Sequence, residues 1–285
     1  MITITASMVK KLREITGVGV MSCKEALQVA NGNMEDAIQE LRKSGAVISD
    51  KLIGRNTNEG IVAIVVNGVC KKGFMAEINC QTDFVAHSRE FIEFSQKIVN
   101  CGLKEETMNV SDTLSSVHWE TSKTLEQIRK ELIFKVRENI QVRRVKLLSA
   151  GDGIIGHYTH RNRIGVLVAL NSKNLSLARN IAIHIAAFNP KVIRSSDVSN
   201  EIVFKEKEIL MAQAKRDGKS EDIINRIVDG RLNKLLKEMS LEGQNFVKDP
   251  EILVGDLLRS ERSTVLSFVR FEIGDMVASS RKIVQ

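Results

Sequence analysis

EGIVAIVVNG, residues 59–68, joins a run of β-branched residues to an Asn-Gly pair. Valine and isoleucine favour extended strands, and Asn67-Gly68 is typical of the tight turn that connects two antiparallel strands. The stretch therefore predicts a β-hairpin, with a return strand at residues 73–79. A helix is predicted after the hairpin, because apolar residues follow at helical spacing. These residues are Phe91, Phe94, Ile98 and Val99.

The same pattern recurs in the second half of the chain. Residues 152–155, DGII, echo the start of the first copy, and a turn at Arg161-Asn162 leads into an apolar run at 163–171. A helix follows, with Leu177, Ile181, Ile183 and Ile185 at its apolar positions. Strand candidates at 142–148 and 266–273 would complete a three-stranded sheet in each copy. The sequence therefore predicts an α+β fold with a duplicated core and small antiparallel sheets.

Residues 1–46 predict three short helices that form a minimal bundle. The helices are expected to end at glycines, namely Gly17, Gly32 and Gly45. Thr5 and Asn33 are candidate N-caps of the first and third helices. Ser22-Cys23-Lys24-Glu25 has the pattern of a capping box and predicts the start of the second helix.

The predicted connection between the first two helices, residues 17–21, has the sequence GVGVM. It is apolar as well as glycine-rich, which is unusual for a solvent-exposed loop. Val20 and Met21 therefore either pack back into the bundle or form a docking surface. The small size of the bundle slightly favours docking.

A helical hairpin is predicted as an insertion in the second copy of the core. Residues 201–216 and 220–239 are strongly helical, with Gly218 as a break and Ser220 as a cap. The second helix carries an apolar stripe that must be buried on the hairpin itself, on the core or on another chain.

The composition of the 285-residue chain bounds its class. With 43% hydrophobic residues, 42 Lys and Arg, and 35 Asp and Glu, the chain is neither disordered nor fibrous. It contains no apolar run near the ~18 residues that a membrane span needs. Its four cysteines, Cys23, Cys70, Cys80 and Cys101, match no zinc or disulfide framework. A reduced, cytoplasmic protein with no membrane partner is therefore expected.

Catalytic motifs are absent from the sequence. We find no phosphate-binding loop, dinucleotide-binding glycine motif, nucleophile elbow or zinc-protease motif, so no catalytic residue, metal or cofactor is predicted. Cys80 precedes a strand-to-helix turn that could activate a thiolate, but no base is evident. Residues 130–163 carry +5 of the net charge of +7, which suggests either an RNA contact or a mixed solvated surface. The low aromatic content of 4% and the absence of a recognised RNA-binding signature favour the second interpretation.

One segment, NCQTDFVA at residues 79–86, joins a charge to a large apolar side chain at a turn. We call residues 82–85 the TDFV turn. Taken alone, the pattern predicts that Asp83 caps the following helix and that Phe84 packs beneath it.

Ordered motifs extend over residues 5–275. They include LRE at 12–14, TGVG at 16–19, NCQTDFVA at 79–86, ENI at 138–140, RR at 143–144, IGVLV at 164–168 and GRL at 230–232. In these motifs the chain resembles bacterial translation elongation factor Ts, the nucleotide exchange factor for the GTPase EF-Tu. The resemblance covers nearly the whole chain.

The resemblance implies a domain organisation that agrees with the pattern of elements. The implied parts are a ubiquitin-associated-type (UBA-like) EF-Tu-docking domain at 1–50, a core N subdomain at 51–150, a core C subdomain at 151–192 and 242–275, a coiled-coil insert at 193–241, and a shortened tail at 276–285. The resemblance implies that the insert is the dimerisation element of the family. A homodimer through 193–241 is therefore an additional expectation.

The resemblance also implies an exchange factor that is not an enzyme. Thr82, Asp83, Phe84 and Val85 would enter the GTPase domain of EF-Tu, where Phe84 wedges between helices and Asp83 disturbs the network that holds Mg²⁺. The residues that match EF-Tu contacts of the family are Lys10, Arg13, Val20, Met21 and His160. Val20 stands where a methionine is typical, which would soften that contact. RNA remains a secondary expectation.

Overall fold

The computed structural model describes residues 3–52, 54–215 and 221–275, and it is an α+β structure with small antiparallel sheets, as predicted. The chain divides into two compact units. The first contains Phe74–Leu147 and the residues up to Val65, and the second contains Val66–Gly73 and the residues from Leu148 onward.

Three helices open the first unit: α1 (Ala6–Thr16), α2 (Val20–Val29) and α3 (Met34–Leu52). The Thr5 hydroxyl accepts a hydrogen bond from the amide of Met8, and Gly17 ends α1 in the left-handed conformation with φ 69°. Asn33 Oδ1 accepts from the amide of Glu35 at 2.9 Å. These three predicted helix ends are therefore confirmed. The small apolar core of the bundle includes Leu12, Leu27 and Leu41, and Phe134 from a later helix completes it.

Two predicted boundaries in this region are wrong. Helix α3 does not stop at Gly45 but continues to Leu52. A glycine inside a helix costs only about 1 kcal/mol relative to alanine, and Leu52 is buried in the core of the first unit. Helix α2 begins at Val20 with Gly19 as its N-cap, so Ser22 lies inside the helix and forms no capping box. The buried side chain of Val18 fixes the chain at the bundle just before that start.

The first three-stranded sheet has the order β1-β2-β5. Its strands are β1 (Glu59–Val66), β2 (Lys72–Cys80) and β5 (Gln141–Ser149), and a two-stranded ribbon is formed by β3 (Val117–His118) and β4 (Lys123–Thr124). The helices of this region are α4 (Asp83–Ala86), α5 (Arg89–Lys104), α6 (Val110–Ser115) and α7 (Leu125–Val136). Phe74, Phe91, Phe94 and Ile133 are among the buried residues at its centre.

The predicted hairpin forms, but with a longer loop than the Asn-Gly pair indicated. Residues 67–71 connect the strands, and Asn67 Oδ1 accepts hydrogen bonds from the amides of Lys71 at 2.8 Å and Lys72 at 3.1 Å. The asparagine side chain therefore closes the loop itself, which a two-residue turn would not require.

The second unit repeats this connectivity with the sheet order β10-β7-β6. Its elements are β6 (Ile154–His160), β7 (Ile164–Leu170), α8 (Leu175–Phe188), α9 (Asn200–Lys215), α10 (Glu221–Met239), β8 (Asn245–Phe246), β9 (Asp249–Leu253), α11 (Val254–Ser260) and β10 (Val265–Glu272). In both sheets the return strand of the hairpin is central and a strand from late in the unit pairs with it, which is the connectivity that a duplication predicts.

Helices α9 and α10 form the predicted helical hairpin. They pack through Ala214, Ile224 and Val228, and Lys207 pairs with Asp229 at 3.0 Å. Phe204 keeps 65% of its surface exposed, so the hairpin buries only part of its apolar side chains. The proposed break at Gly218, the cap at Ser220 and the tail at 276–285 lie outside the described residues. Dimerisation through 193–241 stays a prediction.

No helix in the described ranges combines the length and the apolar character that crossing a bilayer requires.

Gly156 lies where β6 packs closely against α8, so a substitution at this position tests the packing of the second unit. A methyl group at this position would overlap the backbone carbonyl of Ala178, which cannot rotate away. We expect Gly156→Ala to lower the free energy of unfolding by about 2 kcal/mol, measured by urea denaturation. Gly68→Ala is the matched control, because no atom lies within 4 Å of its added methyl group. Equal stability of the two variants would contradict the packing described.

Candidate functional site

The TDFV turn follows β2 directly and forms the single-turn helix α4. Thr82 is the N-cap of this helix, and its Oγ1 accepts a hydrogen bond from the amide of Val85 at 3.4 Å. The carbonyl of Thr82 accepts from the amide of Ala86 at 3.2 Å. The turn therefore has a defined helical conformation.

A second cap joins the turn to the long helix α5. Ser88 Oγ accepts from the amide of Phe91 and donates to the carbonyl of Val85 at 2.8 Å. The prediction that Asp83 caps the following helix is therefore wrong. Asp83 lies in the first turn of α4, with its side chain toward solvent, and Thr82 and Ser88 hold the two cap positions.

Phe84 points away from the core. Its side chain is 84% exposed, so the prediction that it packs beneath the helix is also wrong. Val85 packs against the core and Ala86 is buried, so the inward positions of the turn are already filled. The result is a solvent-exposed aromatic ring next to an exposed carboxylate, both available for contact with another molecule.

Glu138 supports the turn from the connection between α7 and β5. Its Oε2 accepts hydrogen bonds from the amides of Gln81 at 3.1 Å and Thr82 at 3.0 Å, and its Oε1 accepts from Thr82 Oγ1 at 2.6 Å. No role of Glu138 was predicted from its sequence context, although it stands in the ENI motif. Only the fold brings its carboxylate to the turn.

The predicted docking residues of the N-terminal bundle lie at its surface. Lys10 and Arg13 are exposed on α1, and Val20 and Met21 are 49% and 64% exposed in the first turn of α2. Val18 is the residue that packs into the bundle. Of the two interpretations of the GVGVM stretch, a surface position for Val20 and Met21 is the one observed.

His160 belongs to the second unit. It is exposed at the end of β6, opposite Ile164 of β7, and its Nδ1 lies 3.3 Å from the hydroxyl of Tyr158. The other candidate residues, in the bundle and in the TDFV turn, all belong to the first unit.

The environment of Cys80 opposes the interpretation as a thiol enzyme. Burial, with smaller contributions from the negative charges of Glu138 and Glu59, raises the pKa of the Cys80 thiol to about 12. Its Sγ donates to the carbonyl of Thr82 at 3.1 Å. Cys80 is therefore a buried, protonated thiol that donates a hydrogen bond to the backbone of the turn.

Acidic side chains pair with several cations of the basic segment at 130–163. Arg143 and Arg144 both pair with the fully buried Glu77, at 3.3 and 2.5 Å. Lys135 binds Glu90 at 2.9 Å and holds the pKa of that carboxyl below its usual range. These cations are engaged within the fold, which weakens the expectation of an RNA surface. In the described ranges, no three His, Cys, Asp or Glu residues are grouped so as to hold a metal ion.

Comparison with known proteins gives a consistent result. A family model described as "Elongation factor TS" matches residues 81–275, which begin one residue before the TDFV turn. A curated protein named Elongation factor Ts from Coxiella burnetii (strain Dugway 5J108-111) is 51% identical over 278 residues, covering 97% of this chain and 94% of that protein. Proteins of the same name from Legionella pneumophila (strain Paris) and Hydrogenovibrio crunogenus are each 44% identical, over 96% and 95% of this chain and 94% and 92% of their own lengths.

The state of Cys80 can be tested by alkylation. With a pKa of about 12, only about one Cys80 side chain in ten thousand is a thiolate at pH 8. We expect iodoacetamide at pH 8 to modify the half-exposed Cys70 of the native protein and to leave Cys80 unmodified, as measured by peptide mass spectrometry. In urea both should react. Modification of native Cys80 as fast as Cys70 would contradict the burial and the raised pKa.

Proposed function

This chain belongs to the elongation factor Ts family, and we propose that it is a guanine-nucleotide exchange factor that binds EF-Tu·GDP and promotes GDP release during translation elongation. The observation that carries the proposal is the TDFV turn, which presents an 84% exposed Phe84 beside Asp83 on a capped backbone. Exchange by this route is a binding process and needs no catalytic acid, base or nucleophile in this chain.

Phe84 supplies the energy of the proposed mechanism. In the free protein its ring makes little contact with its own core, so insertion between helices of the partner sacrifices few contacts and removes apolar surface from water. Burying a phenylalanine side chain is worth about 1.5–3 kcal/mol. When this energy stabilises a GTPase conformation that binds GDP weakly, the affinity of the partner for GDP falls by about tenfold to hundredfold.

Asp83 acts on the metal side of the partner's nucleotide site. Mg²⁺ demands near-ideal octahedral geometry, and it bridges the nucleotide phosphates to a hydroxyl of the phosphate-binding loop. A carboxylate that disturbs this network displaces Mg²⁺ and frees the diphosphate, after which GTP can bind. The coupling is reciprocal, so GDP must weaken the binding of this protein by the same factor by which this protein weakens GDP.

The remaining parts of the chain are assigned to docking. The three-helix bundle is proposed to be a UBA-like domain that contacts the GTPase domain through Lys10, Arg13, Val20 and Met21. His160 is proposed to contact another domain of EF-Tu. The α9–α10 hairpin is proposed to be the coiled coil of the family, and the site of action to be the cytoplasm. The exposure of Lys10, Arg13, Val20, Met21 and His160 supports the docking assignments.

The proposal is tested by stopped-flow release of a fluorescent GDP from EF-Tu of the same source. We expect the wild-type protein to accelerate release at substoichiometric concentration. Phe84→Ala should slow the stimulated release by about tenfold, because it removes the inserted ring, and Asp83→Ala should slow it through the metal site. Both side chains are exposed, so circular dichroism and the thermal midpoint should stay unchanged.

Val69→Ala is the matched control, because Val69 is also a largely exposed apolar residue and lies in the loop between β1 and β2. This variant should exchange at the wild-type rate. No acceleration by the wild-type protein would overturn the proposed function. Wild-type rates for Phe84→Ala or Asp83→Ala would overturn the role of that residue.

A further inference from the structure

The contacts of Glu138 lead to one further assignment, which rests on the proposed function. We infer that Glu138 is a positioning residue, whose carboxylate holds the TDFV turn in the orientation that presents Phe84 to the partner. Glu138 lies against Gln81 and Thr82, at the start of the turn, and needs no contact with the partner to do this.

Apolar packing cannot set the direction of the ring. Phe84 is 84% exposed, so its position depends on the backbone of the turn and not on a pocket in this chain. Val85 and Ala86 anchor the end of the turn that leads into α5. At the opposite end, residues 81 and 82 connect β2 to α4, and a different contact must hold them in position.

Glu138 provides that support through both oxygens of its carboxylate. Both carboxylate oxygens are used, one for the two consecutive amides of Gln81 and Thr82 and the other for the Thr82 hydroxyl, at distances of 2.6–3.1 Å. Hydrogen bonds to an ionised acceptor are about twice as strong as those between neutral groups. Three of them on neighbouring donors restrict both the position and the rotation of the first turn residue.

Glu138 is itself held on both sides by its neighbours. Arg137 has a left-handed backbone with φ 62°, its guanidinium lies 4.6 Å over the ring of Phe134, and its Nη2 donates to Ser22 Oγ at 2.6 Å. On the other side, Asn139 is buried and its Nδ2 donates to the carbonyl of Arg55 at 3.0 Å. The carboxylate therefore projects from a fixed segment of backbone.

These contacts also connect the turn to the docking bundle. Ser22 follows Met21 on α2 and binds Arg137, and the next residue, Glu138, binds Thr82. A continuous series of short polar contacts within the first unit thus fixes the distance between the bundle surface and the TDFV turn. Both surfaces are proposed to bind the same GTPase domain. The distance between them must therefore stay constant for Phe84 to insert between the helices of that domain.

A positioning role predicts a specific kinetic signature. Loss of the Glu138 carboxylate should leave the docking surfaces intact, so the concentration that gives half-maximal stimulation should change by less than about threefold. The maximal rate of GDP release should fall by about tenfold, because an insertion group displaced by an ångström or so loses most of its effect.

Four variants measured by stopped-flow GDP release test this assignment. Glu138→Ala should show the lowered maximal rate. Glu138→Gln should restore it to within about threefold of the wild type, because an amide oxygen still accepts from both backbone amides and its nitrogen can donate to Thr82 Oγ1. Thr82→Val, which removes one of the three hydrogen bonds to Glu138 and also the cap bond from the amide of Val85, should be intermediate. Glu131→Ala is the control, an exposed carboxylate on α7 that pairs only with Lys123 among the ion pairs observed.

The outcomes separate this assignment from the proposed function. If the wild-type protein accelerates release and Phe84→Ala does not, a wild-type maximal rate for Glu138→Ala would overturn the positioning role alone. A rise in the half-maximal concentration at an unchanged maximal rate would also overturn it, because that result indicates a docking contact. If Glu138→Ala does not fold, as judged by circular dichroism, Thr82→Val decides, and a wild-type maximal rate for that variant would sink the assignment.

Discussion

Hydrogen bonds from residues 81 and 82 to the Glu138 carboxylate tie the TDFV turn to the segment that precedes β5. An aromatic side chain that is held out in water cannot be located by packing, which is how most phenylalanines in a protein are located. Its position must come from the backbone, and the backbone of a single helical turn is too short to be stable alone. The turn lacks the cooperativity that stabilises a longer helix. It is stabilised instead by the Glu138 carboxylate, the caps at Thr82 and Ser88 and the buried Ala86.

The same arrangement explains the chemistry of the surrounding residues. Cys80 lies directly before the turn and donates to the carbonyl of Thr82, so a thiolate there would repel both that oxygen and Glu138. Two basic residues of β5 also have a structural role, because Arg143 and Arg144 pair with the buried Glu77 on the neighbouring strand. Cys80 and these two arginines, which could suggest catalysis or RNA binding in the sequence, are thus structural in the fold.

Most of the fold could be predicted from the sequence, because it is encoded by local signals. The hairpin at β1 and β2, its repetition at β6 and β7, the third strand of each sheet and the caps at Thr5 and Asn33 all follow from periodicity and turn chemistry. The failures arose where a tertiary contact outweighs a local preference. Burial of Leu52 carries α3 past Gly45, and burial of Val18 starts α2 before the apparent capping box at Ser22. The candidate site was predictable only in part. The residue pattern alone placed Phe84 beneath the helix, the resemblance implied that it enters the partner, and neither indicated that Glu138 holds the turn.

The exposed ring of Phe84 also has a consequence for colloidal behaviour. A solvent-facing aromatic residue on a protein surface is a point at which two copies can stick to each other as concentration rises. Here the neighbouring Asp83 is exposed as well, so two turns that approach ring to ring bring two carboxylates together. Charged residues that flank an apolar segment act as gatekeepers against self-association in just this way. The aspartate that is proposed to disturb the metal site of the partner thus also disfavours ring-to-ring contact between two unbound copies.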